Sequence, residues 1–223
     1  HIPLNDYEKD DLETGVQPLR ERIETFKRLS CALGKEAVIW RFDPLILTDR
    51  ITTSLLLEKI ERIGTEIHDY TEKLVFSFAD ISNYKKVKAN MIRSGIPYRE
   101  WDEKSMEELA EKLSGLNQEK GWHLDLATCG EAIDLKKYKI SHNRCIDGDL
   151  IARLAPDSDL IRNPKKDPGQ RPMCGCVTAK DIGQYNTCPH LCEYCYANSS
   201  KKTALANWRA HQQNPMAETI TGR

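Results

Sequence analysis

No stretch of this chain approaches the roughly 20 consecutive apolar residues that a membrane-crossing helix needs, so a helical membrane protein is excluded and no membrane partner is expected. There is no internal repeat or low-complexity tract, which sets aside solenoids and linker-like chains. There is no run of basic residues and no RNA-binding signature, so nucleic acid is not indicated as a partner. The opening residues show neither the basic nor the apolar region of a secretory leader, and the expected setting is cytoplasmic. An initiator methionine is missing as well. The chain opens on His1-Ile-Pro-Leu4, which reads as the end of a strand, and an N-terminal portion is expected to precede it.

Cysteine, by contrast, is abundant and concentrated. Seven of the eight cysteines fall between Cys129 and Cys195. Clustered thiols outside a secretory context read as metal ligands rather than as a disulfide framework. Charge is uneven along the chain too. Residues 1–160 carry 24 Lys and Arg against 30 Asp and Glu, whereas residues 161–223 carry nine against four. The basic excess in the cysteine-rich third either offsets thiolate charge or attracts an anionic substrate or nucleic acid, and its scatter favours the first.

The first 128 residues alternate helical and strand patterns. Residues 5–18 are polar and acidic and read as a loop. Leu19, Ile23, Phe26, Ser30 and Leu33 mark a helical face that Gly34 stops. Ala37–Pro44 reads as a buried strand, and Thr52 or Thr53 caps a helix with Leu56, Ile60, Ile63 and Ile67 on one side. Lys73–Asp80 is the next strand, followed by a polar helix near 82–93. Ser105 and Glu108 form a capping box for a helix carrying Leu109, Ala110 and Leu113, and Trp122–Cys129 is the last strand. Such alternation predicts an α/β fold with a parallel sheet, part of a (β/α) barrel, with a doubly wound sheet as the alternative. The expected organisation is a partial barrel over 1–128, a loop-rich cysteine-organised segment over 129–198, and a tail over 199–223. Chemistry in such folds collects at the carboxyl ends of the strands. The candidate catalytic residues there are Arg41, Asp43 and Asp125, with Ser77, Asp80 and Cys129 beside them.

The strongest motif is Gly183–Asn198. Within it Cys188, Cys192 and Cys195 follow the spacing C-x3-C-x2-C, with Tyr194 directly before the last thiol. Three soft thiolates in eight residues suit a [4Fe-4S] cluster with one iron left open, while His190 would complete a tetrahedral zinc site from the same loop. Cys129, Cys145, Cys174 and Cys176 form a possible second group, enough for a closed zinc site or a second iron–sulfur cluster. Cys31, on the first helix, reads as core.

Val38–Pro44, Thr128-Cys129, His142–Asp147, Gly169–Arg171, Cys174-Gly-Cys176 and the cysteine run to Asn198 together resemble the bacterial family of domain of unknown function 1848, which is functionally uncharacterised. Its terminal cysteine motif is similar to the cluster loop of radical S-adenosylmethionine enzymes. That resemblance implies a cluster on Cys188, Cys192 and Cys195, S-adenosylmethionine as cosubstrate with Tyr194 near its adenine, an external electron donor, and hydrogen abstraction from an unidentified substrate. Two features depart from those enzymes: the cysteine motif comes last rather than in the first βα loop, and no glycine-rich S-adenosylmethionine motif is evident. The alternatives are a non-catalytic iron–sulfur or zinc protein and a nucleic-acid-binding module.

Overall fold

A computed structural model describes residues 1–156, 165–171 and 173–221. Arg162 and Arg223, two cations of the basic third, lie outside the described residues. Five strands form one parallel sheet: β1 (Ile2–Pro3), β2 (Trp40–Leu45), β4 (Lys73–Phe78), β6 (Asp125–Thr128) and β7 (Ile140–His142), lying side by side in chain order. The intervening β3 (Leu47–Thr48) and β5 (Tyr98–Arg99) make a small antiparallel pair apart from it. Parallel strands in chain order are compatible with part of a (β/α) barrel. A doubly wound sheet reverses order at a switch point. β1 and β7 are the sheet's two edges.

The register sorts the side chains by face. Trp40, Leu74, Leu126 and Ile140 stand opposite one another across β2, β4, β6 and β7 and belong to one continuous core. Helices α1 (Leu19–Leu33), α2 (Thr53–Ile67) and α4 (Glu103–Glu119) cover that face with Ile23, Phe26, Leu56, Ile60, Ile63, Ile67, Leu109 and Leu113. The neighbouring row, Arg41, Val75, Ala127 and Ser141, looks the other way, where Ile39, Val75 and Ala127 make a small second cluster with Cys129 and Leu150. A strand's period of two thus divides a thick helix-covered core from a thin face whose carboxyl end is polar.

Local chemistry accounts for the element ends. Thr52 caps α2 by accepting the Leu55 N–H at 3.3 Å, and Gly34 ends α1 at φ 91°. The capping box of α4 sits one turn earlier than the Ser105–Glu108 reading. Asp102 is the cap and Ser105 the third helical residue, because a carboxylate accepts the Ser105 N–H at 2.7 Å while the Ser105 hydroxyl reaches back to the Asp102 N–H at 3.2 Å.

Other expectations are corrected as well. Cys31 is exposed, because it follows buried Ser30 by one residue, about 100° around a helix of 3.6 residues per turn. Leu33, in the last turn, is 60% exposed. The sheet does not stop at Thr128, since β7 pairs with β6, and helices α5 (Gly148–Leu154) and α6 (Lys201–Gln213) stand where a loop-rich segment and a tail are expected, whereas α3 (Lys85–Arg93) is the expected polar helix. Residues 5–13, read as a polar loop, bury Asn5, Asp6, Tyr7, Leu12 and Glu13. Lys59 holds this loop from α2, its Nζ 2.7 Å from both the Asp6 carbonyl and the Asp10 carboxylate. Arg22 holds it from α1 through the Asn5 carbonyl at 3.0 Å and Glu8 at 2.7 Å.

Candidate metal and thiol site

The carboxyl ends of β2, β4 and β6 bring Arg41, Asp43, Ser77 and Cys129 together. Arg41 pairs with Asp43, its Nε 3.1 Å from Oδ2, and the Ser77 hydroxyl donates to the other oxygen of the same carboxylate. Cys145, just past β7, joins them. Its Sγ lies 3.2 Å from Cys129 Sγ, 3.1 Å from Arg41 Nη1 and 3.6 Å from Asn143 Nδ2. The contact with Cys129, and then the charge of Arg41, hold the Cys145 thiol well below its ordinary value against the opposing effect of burial. The same contact, together with burial, pushes Cys129 up. Cys176 is near this pair and accepts the Ile146 N–H at 3.4 Å. Its thiol is raised by burial first, with Cys174 and Cys145 adding. The second cysteine group of the sequence is therefore one neighbourhood, built around a tight pair with a guanidinium against it.

The motif loop folds back over the connection between β1 and α1. Gly15 N–H donates to the His190 carbonyl at 2.9 Å and Glu193 N–H to the Leu12 carbonyl at 2.9 Å. A Cβ on Gly15 would lie 2.5 Å from the Pro189 carbonyl oxygen, so this close approach requires glycine. Asn186 and Leu191 take left-handed backbone, φ 58° and 56°, to turn the chain around the cysteines. Within the loop, Asn198 donates its N–H to Cys195 Sγ at 3.4 Å and its Nδ2 to the Cys188 carbonyl at 2.9 Å. Buried Glu193 ties the loop outward to Ser94 at 2.5 Å and to Lys201. The hydrogen bond from His190 lowers the Cys188 thiol, and the same bond raises His190. Burial, then Glu13, pushes Cys192 up to about 12, with Cys195 and Cys188 adding.

Tyr194 points inward. Its hydroxyl donates to Glu13 and accepts from Asn5 Nδ2 at 3.0 Å, and its ring packs edge-on against Tyr7 with centroids 6.1 Å apart. Asn5 in turn accepts the Asp43 N–H at 2.9 Å and donates to the Asp43 carbonyl at 3.1 Å. One polar chain therefore runs from Cys129 and Cys145 through Arg41, Asp43 and Asn5 to Tyr194 in the motif loop.

Three soft thiols on one short loop, with a backbone N–H on Cys195 and the buried Asn198 Oδ1 left without a hydrogen-bond partner, match the donor chemistry of an iron–sulfur or zinc centre. Among the described residues, no three His, Cys, Asp or Glu side chains converge on a common point at ligand distance. The fit is one of donor type and loop packing.

Asp125 is not part of this constellation. It is the first residue of β6, exposed at the amino end of the strand. There it lines a cavity of about 230 Å³ with Lys35, Glu72, Lys73, Asp147 and Arg153. Alternation does place it on the Cys129 face, but at the opposite end. Glu131, just past β6, is the mouth residue that motif reading missed. Its Oε1 accepts the Phe78 N–H at 2.9 Å, and burial raises its carboxyl to about 7. Asn5, Glu13 and Asn143 were missed as well, since single polar residues in irregular segments carry no periodic signal.

Fold and site together define an α/β protein with a parallel sheet in chain order and a thiol-rich polar site at its carboxyl end. The chain belongs to the family described as domain of unknown function DUF1848, whose model matches residues 1–197. No curated protein and no solved structure matches it. No described helix is long and apolar enough to cross a membrane.

Proposed function

We propose that Cys188, Cys192 and Cys195 hold a [4Fe-4S] cluster and that the protein is a radical S-adenosylmethionine-like enzyme of the reducing cytoplasm. The observation that carries this reading is the docking of the motif loop on residues 12–15, in the connection between β1 and α1. A loop that comes last in sequence thereby reaches the end of the strands where such chemistry is done. Bound on three thiolates, the cluster would supply an open iron and the electron for reductive cleavage of S-adenosylmethionine.

This chain's residues have separate tasks. Tyr194 anchors the loop through Glu13 and Asn5. Arg41 and Asp43 present a fixed charge pair at the mouth, where a substrate carboxylate or amine would be oriented. Glu131, with its carboxyl near neutrality, holds or releases a proton beside them. Cys188, the exposed thiol of the three, marks the side from which an electron donor would approach.

A second reading, structural zinc on Cys188, His190, Cys192 and Cys195, is favoured by the hydrogen bond between Cys188 and His190. The test is anaerobic purification with iron, sulfide and zinc measured per chain, followed by reductant and S-adenosylmethionine. Formation of 5′-deoxyadenosine that is lost in Cys188→Ala supports the enzyme. Zinc without sulfide replaces the first reading with the second.

A further inference from the structure

We propose that Cys129 and Cys145 are a redox-active dithiol that undergoes exchange with low-molecular-weight disulfides of the glutathione class. This inference does not depend on the metal loop or on radical chemistry.

The two sulfurs are 3.2 Å apart and belong to adjacent parallel segments, Cys129 directly after β6 and Cys145 just beyond β7. The backbones there are fixed by the Asn143 N–H to the Thr128 carbonyl at 2.7 Å and the Cys129 N–H to the Phe76 carbonyl at 2.8 Å. A disulfide has its sulfurs about 2.05 Å apart, so closing the pair needs a movement of about 1.2 Å, within reach of side-chain rotation. Both thiols are partly exposed, which lets a small reagent in. Arg41 acts on both sulfurs, but its Nη1 is 3.1 Å from Cys145, which Asn143 Nδ2 also approaches at 3.6 Å, and this second donor makes Cys145 the attacking sulfur and Cys129 the resolving one.

Metal ligation fits the pair less well. Thiolates on tetrahedral zinc, with bonds of about 2.3 Å, stand about 3.8 Å apart. Moreover, the guanidinium already occupies a cation's position against Cys145.

In the exchange, the Cys145 thiolate attacks one sulfur of the small disulfide and expels one thiolate. Cys129 then gives up its proton to solvent and attacks the Cys145 sulfur of the mixed disulfide, expelling the second. The protein pair loses two electrons, and the small disulfide gains them as two thiols.

The full chain is equilibrated anaerobically with oxidised and reduced glutathione at graded ratios and quenched with acid. Free thiols are then blocked, and the linked peptides are identified by mass spectrometry. Zinc and iron are measured on the same sample. The expected result is a Cys129–Cys145 link that forms first and is reversed by dithiothreitol. Cys129→Ser should accumulate roughly tenfold more glutathione on Cys145 than Cys145→Ser accumulates on Cys129. Absence of the link at every ratio, a Cys174–Cys176 link in its place, or a metal ion that must leave before the link forms would each overturn the proposal. The wild-type measurement decides the matter if either variant fails to fold.

Discussion

The Tyr194 hydroxyl donates to the buried carboxylate of Glu13, joining the residue directly before the last cysteine of the motif to a residue 181 positions earlier. Glu13 Oε2 is buried with no hydrogen-bond donor among the described residues and faces Arg22 Nη2 at 3.7 Å. Tyr194→Phe keeps the ring against Tyr7 but removes that donor. The expected cost is about 1.5–3 kcal/mol, that of one hydrogen bond to a charged group, since Glu13 Oε1 still accepts from Asn5 Nδ2 at 3.2 Å. Thermal unfolding should fall by about 2–4 °C per kcal/mol in a chain of this size. Proteolysis within 183–198 should quicken, and an unchanged melting temperature would show that the bond does not hold the loop.

Gly15 tests the same docking from the other side. A methyl group there would stand 2.5 Å from the Pro189 oxygen and 2.7 Å from the His190 oxygen, both backbone atoms that cannot rotate away. Gly15→Ala is expected to destabilise by about 1–3 kcal/mol, the usual range for overpacking, and to lower bound metal per chain. A variant with full metal content and wild-type melting would place the loop elsewhere.

Glu131 makes stability depend on pH in a stated direction. Burial raises its carboxyl from 4.5 to about 7, so the folded protein holds a proton that the unfolded chain has released between those values. Its stabilising contribution is complete below about 4.5 and is lost as pH rises toward 7. Glu131→Gln keeps an oxygen for the Phe78 N–H and cannot ionise. Its stability, measured by urea unfolding, should fall less than wild type between pH 5 and pH 7. Parallel curves for the two proteins would remove Glu131 as a proton-holding group.

Much of the scaffold was legible because burial on one face leaves a period. Ile60, Ile63 and Ile67 follow the helical repeat and are fully buried, and Trp40 and Phe42 alternate with Arg41 and Asp43 as a strand requires. The same alternation did not reveal how far along its strand a residue sits, and so Asp125 was placed at the wrong end. The thiols were visible as residue types, and Cys188, Cys192 and Cys195 as a spacing. Cys129 and Cys145 could be grouped as thiols of one possible second site, but not seen as a tight pair; the long-range pairing of Asn5 with Asp43 and Tyr194, and of Gly15 with His190, could not be read at all. Those contacts join segments with no shared periodicity, and only the strand order of the sheet brings them together.

His190 separates the two metal readings. It is exposed, it lies two residues from both Cys188 and Cys192, and its hydrogen bond lowers the Cys188 thiol. An iron–sulfur cluster on the three thiolates leaves the imidazole outside the coordination shell. His190→Ala should then retain wild-type iron and sulfide, and its stability should change by less than about 0.5 kcal/mol, as for most exposed positions. A tetrahedral zinc site needs the imidazole as its fourth ligand, and the same substitution would open the site and release zinc to a weak chelator. Iron, acid-labile sulfide and zinc measured on anaerobically prepared wild type and His190→Ala decide the question. Retained iron and sulfide in the variant support the cluster, whereas zinc that leaves with the imidazole makes His190 a ligand and the centre structural.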